Sequence, residues 1–94
     1  MSKDIVIYRG IIEKGNKDLD SLLDNLAGLY KLRETVDAKL VNAFSPLPQN
    51  EKIGLDLDKI FLDREILLGE LEIKRIDADI VDSELKLKNL KLSL

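Results

Sequence analysis

Apolar residues recur along this chain in alternating steps of three and four, the spacing that keeps them on one side of an α-helix. In the first half the seam runs Ile5, Tyr8, Ile12, Gly15, Leu19, Leu22, Leu26, Leu29, Arg33, Val36, Leu40 and Ala43. Only Gly15 and Arg33 interrupt it, and its phase never breaks. The spacing therefore predicts a helix from about Lys3 to Phe44, with Ser2 as its N-cap and Asp4 in its first turn. Gly15-Asn16 leaves a bend or break open at 15–16, because Gly can end a helix and Asn can cap the next. A short strand over Ile5 to Tyr8 is the alternative for the extreme N-terminus.

The second half carries two stripes. One is Leu62, Ile66, Gly69, Ile73, Ile76, Ile80, Ser83, Leu87, Leu90 and Leu94. The other is Leu57, Ile60, Arg64, Leu67, Leu71, Lys74, Ala78, Val81, Leu85, Lys88 and Leu92, on roughly the opposite side of the cylinder. Between the halves, Pro46 and Pro48 stop the first helix. The connection is expected to span 45–56, with Asp56 or Asp58 capping a second helix over about 57–92. Ile53, Leu55 and Leu57 are expected to fold back over the end of the bundle. Residues Leu85 to Leu94 also alternate at period two, so a strand is the competing reading there. Leu, Lys, Glu and Ala favour helix.

The expected fold is all-α: one domain over residues 1–94, a long antiparallel helical hairpin of coiled-coil type. A helix that is apolar on two sides cannot cover both against a single neighbour, so the hairpin is expected to pair into a dimeric four-helix bundle or a higher oligomer. The proposed intra-hairpin seam is Leu62, Ile66, Ile73, Ile76, Ile80, Leu87 and Leu90. The proposed oligomer or partner interface is Leu57, Ile60, Leu67, Leu71, Ala78, Val81, Leu85 and Leu92. Sequence alone does not fix which stripe serves which role. Leu47, between the prolines, is a further candidate contact for a protein partner in the 45–56 connection.

Composition supports this picture. At 94 residues, 35% charged and 4% aromatic, the chain resembles helical bundles more than sandwiches or barrels. A formal net charge of −3 argues against non-specific nucleic-acid binding. Neither Cys nor His is present, which removes thiolate metal sites and the commonest general base. The apolar run Ile5, Val6, Ile7 is too short for a signal-peptide core or a membrane span, so an intracellular location is expected, with a virion component as the alternative.

Asp77, Asp79, Asp82 and Glu84 could in principle hold a cation, but acids flanking a seam ordinarily set register and partner choice. Lys86, Lys88 and Lys91 are scattered among leucines rather than gathered on one face, which favours a packed helix end over a membrane anchor. Arg33, Arg64 and Lys74 interrupt apolar stripes, either to fix register or simply to lay their methylenes along the seam. Gly15 and Gly69 permit either a close helix approach or a gap.

No catalytic residues, metal ligands or cofactors are assigned. The function expected is that of a non-enzymatic helical interaction protein: a structural subunit, adaptor, assembly chaperone or small inhibitor of viral or mobile-element type. The alternative is a small dimeric nucleic-acid-binding regulator using Arg9, Lys14, Lys17, Lys31, Arg33 and Lys39, which acids in the same helix offset. A carboxylate-based enzyme ranks last.

Overall fold

The computed structural model describes residues 2–41 and 47–92, all in two helices apart from Leu47 and Pro48. Helix α1 spans Ser2–Val41 and α2 spans Gln49–Leu92. The chain is an all-helical hairpin. Helix α1 runs through Gly10 and Gly15-Asn16 without interruption, and Ile5 to Tyr8 are helical, as are Leu85 to Leu92. The continuous seam outweighs the roughly 1 kcal/mol that a glycine costs in a helix interior. The expected cap at Ser2, the helical positions 42–44 and the stripe position Leu94 fall outside the described side chains.

The start of the second helix differs from the sequence expectation. It begins at Gln49, not near Leu57, so the expected connection over 45–56 is shorter and its second half is helical. Pro48 is the last residue outside the helix, and its carbonyl accepts the Lys52 N–H at 3.0 Å, closing the first turn. Glu51 in that turn opposes the helix dipole. Asp56 and Asp58 are therefore interior residues, not caps. Ile53 and Leu57 do not fold back over the bundle end; they project outward at 51% and 61% exposure. Leu55 and Lys59, on the seam side, are half-buried. Gly54 is the signal that misleads: it reads as a break, yet it lies inside the helix, and a Cβ there would meet nothing within 4 Å. Gly54→Ala is accordingly expected to stabilise the protein by about 1 kcal/mol, read as a higher midpoint in chemical denaturation with an unchanged slope.

The chain divides into two compact units, each a stretch of α1 against a stretch of α2. In the unit Asp24–Glu70, the core is Leu26, Val36, Leu62 and Ile66. Leu26 lies against Gly69, Tyr30 meets Glu70, Arg33 meets Asp63 and Asp37 meets Lys59. From Leu26 and Tyr30 to Arg33 and Asp37 on α1, the partners run back from Gly69 and Glu70 to Asp63 and Lys59 on α2, which is the antiparallel arrangement. In the unit Met1–Leu23 with Leu71–Leu94, Ile76, Ile80, Ser83 and Leu87 are buried. There Gly15 faces Ile76 and Ile80, and Lys86 lies over the Tyr8 ring at 5.6 Å. Both glycines receive a side chain from the opposite helix, so each marks a close approach and not a gap.

Candidate interaction surface

The α1 seam positions from Ile5 to Leu40 are buried or half-buried. On α2, Leu62, Ile66, Ile76, Ile80 and Leu87 are buried, while Ile73 and Leu90 are half-buried. This stripe is the one packed inside the hairpin. The opposite stripe faces outward. Leu57, Ile60 and Leu67 in one unit, and Leu71, Val81, Leu85 and Leu92 in the other, are all between 48% and 75% exposed, and Ala78 is exposed as well. Leu47 is half-buried just before α2.

The outer face is wider than the three-four spacing alone suggests. Phe61 and Leu68 are 61% and 50% exposed and each follows a stripe residue, Ile60 or Leu67, by one position. A stripe in steps of three and four takes one residue per turn, so neither falls on it. The available signal was their seven-residue spacing beside the stripe. Helix α1 exposes large apolar side chains too: Val6, Ile7, Ile11 and Leu23 in one unit, Leu32 and Val41 in the other.

The charged residues of the seam mostly find partners. Arg33 does not end in solvent alone: its guanidinium lies 3.6 Å from Asp63 and 5.3 Å from the centre of the Tyr30 ring. It thus links the two helices, whereas Arg64 and Lys74 on the outer stripe are exposed. Tyr30 donates to Glu70 at 2.7 Å, which raises the phenol's pKa above its ordinary 10.0. Lys59 is 3.0 Å from Asp37, whose hydrogen bond and charge raise the ammonium's pKa above 10.5. Both bridges join α1 to α2. A group whose pKa is raised on folding contributes stability below its unfolded value and loses it as the pH climbs through the folded one. The unit Asp24–Glu70 is therefore expected to melt at lower temperature once the pH passes 10.5, with the shift kept small by solvent screening. A melting series across that range checks it.

The acidic run has ordinary local partners. Asp79 lies 3.4 Å from Arg75, which also forks onto Glu72 and lowers that carboxyl's pKa through the hydrogen bond. Asp82 lies 2.9 Å from Lys86. Among the described residues no three carboxylates gather where a metal ion could bind. None of the described helices is long and apolar enough to cross a membrane. A shallow groove of about 170 Å³ beside Gly15 is lined by Ile76 and Ile80 with Lys14, Asp18, Arg75 and Asp79 at its edges. Opposite charges there neutralise one another.

No protein-family description, characterised protein sequence or solved structure matches this chain.

Proposed function

We propose that the protein is a non-enzymatic helical assembly protein that associates with copies of itself through the outer face of α2, as a dimeric four-helix bundle or a higher oligomer. The observation that carries this reading is the amount of apolar helix left uncovered. On α2, Leu57, Ile60, Phe61, Leu67 and Leu68 in one unit and Leu71, Val81, Leu85 and Leu92 in the other are each 48–75% exposed, whereas a monomer ordinarily leaves large apolar side chains exposed only singly. Among the described residues no large side chain is fully enclosed, as expected when two helices lack a second layer. In such an assembly the protein would serve as a structural subunit, adaptor, assembly chaperone or inhibitor, holding helices rather than transforming a substrate.

The nucleic-acid alternative has less support. Arg33 is engaged with Asp63, and Arg9, Lys14, Lys17, Lys31 and Lys39 are interleaved with acids such as Glu13, Asp18 and Glu34.

The test pairs two outward positions, Leu57→Asp and Val81→Asp, each made separately. Both are expected to keep the helical circular dichroism of the wild type while lowering the mass seen in sedimentation, because a charge on the contact surface must be desolvated. Wild-type mass in both variants would remove this face from any assembly.

A further inference from the structure

The charged surroundings of the outer face of α2 differ between the two units. In the unit Asp24–Glu70 the face is made by Ile53, Leu57, Ile60, Phe61, Leu67 and Leu68, each 50–65% exposed. Arg64 is the one cation among them. Asp56 stands within a turn of Ile53 and Ile60 on one edge, and Asp58 and Glu65 stand within a turn of Phe61 and Leu68 on the other. None of these three carboxylates makes an ion pair among the described residues. Asp63 and Glu70 share the first edge, but Arg33 and Tyr30 of α1 already hold them, so neither is counted. The face is apolar in the middle and acidic on both sides. In the other unit, Lys74 and Lys88 on the midline offset Asp77 and Glu84 at the edge.

We propose that the outer face of α2 in the unit Asp24–Glu70 docks an amphipathic helix of another protein, one whose apolar stripe is flanked on both sides by Lys or Arg. This goes beyond self-association and does not depend on it. The six apolar side chains supply the attraction for a helix laid along them, and charge chooses which helix. Acids on both edges repel nucleic acid and anionic lipid. A second copy that lays its own α2 here brings the same acids, and like charges then face each other across the contact. A basic helix instead brings a cation to each unpaired carboxylate. Those pairs lie at the rim, where salt screens them, so they set the choice of partner more than the strength of the hold. Where a copy already covers Leu57, the basic helix competes with it.

Two synthetic helices of about five turns test this. Both carry the same leucine stripe, one with Lys at every flanking position and the other with Glu. Each is dye-labelled and titrated with the full chain, and binding is read by fluorescence anisotropy. The Lys-flanked peptide is expected to bind about tenfold more tightly, by an advantage that shrinks as salt is raised. Asp56→Asn, Asp58→Asn and Glu65→Gln made together are expected to erase most of that preference while leaving the circular dichroism unchanged. Asp77→Asn with Glu84→Gln, in the other unit, is expected to preserve it. Three results would overturn the proposal: no binding of the Lys-flanked peptide, equal binding of the two peptides, or a preference that survives the triple substitution. Equal loss in the Asp77 and Glu84 variant would overturn it as well, because net charge and not this face would then attract the peptide. Self-association is read separately, from the mass of the protein without peptide.

Discussion

Ile76→Asp is expected to unfold the chain or leave it barely folded, with a loss of about 4 kcal/mol or more. Ile76 is 6% exposed and its Cγ2 lies 3.4 Å from where a Cβ on Gly15 would stand, so its side chain fills the gap between the helices. Removing a buried Ile costs about 2–5 kcal/mol through lost transfer and the cavity left behind. Placing a carboxylate there without a donor adds the cost of stripping its water. A chain of this size has only about 5–14 kcal/mol in total, and among the described residues no large side chain is fully enclosed. The measurement is far-ultraviolet circular dichroism with urea titration. An Ile76→Asp protein with wild-type helicity and midpoint would mean that the seam is not where stability resides.

The second large effect is expected at Gly15. A Cβ built there would lie 2.7 Å from Ile80 Cγ1 and 2.9 Å from its Cδ1. The nearer atom belongs to the stiff, β-branched root of the side chain, so it cannot swing aside cheaply. Gly15→Leu is expected to destabilise by about 3 kcal/mol even though leucine is the better helix former by about 1 kcal/mol, because overpacking outweighs propensity. At Gly69 the corresponding contact is Leu26 Cδ2 at 2.9 Å, the far end of a more flexible side chain. Gly69→Ala should therefore cost less than the substitution at Gly15. Denaturant midpoints of the two variants check the order.

These residues show what could be read from sequence and what could not. The seam on α1 and its complement on α2 were legible because their apolar period persists without a phase break from Ile5 to Leu40 and from Leu62 to Leu90. That Leu57, Ile60 and Val81 lie opposite Leu62, Ile66 and Ile80 was legible by the same geometry, but which side faces α1 was not, because both stripes are apolar. The start of α2 was not. Gly54 and the two nearby prolines carry the local signature of a loop, whereas the helix runs back to Gln49, with Leu55 half-buried and Lys59 paired with Asp37. Gly15 and Gly69 gave no hint of whether they faced a side chain or a void, since that depends on the register of one helix against the other. Arg33 was equally ambiguous: its guanidinium could end in solvent or cross to α2, and the position of Asp63 decides. Phe61 and Leu68 recur at seven residues, each one position beyond the stripe, so the width of the face was legible there too.

The central physical claim is that an apolar face of α2 remains uncovered in the single chain and is closed by another copy. Sedimentation equilibrium of the wild-type protein over a range of micromolar concentrations tests it most directly. The account predicts a mass of at least twice 10.7 kDa that falls toward one chain on dilution, together with a melting temperature that rises with concentration. A single-chain mass throughout, with cooperative melting at one temperature regardless of concentration, would contradict it.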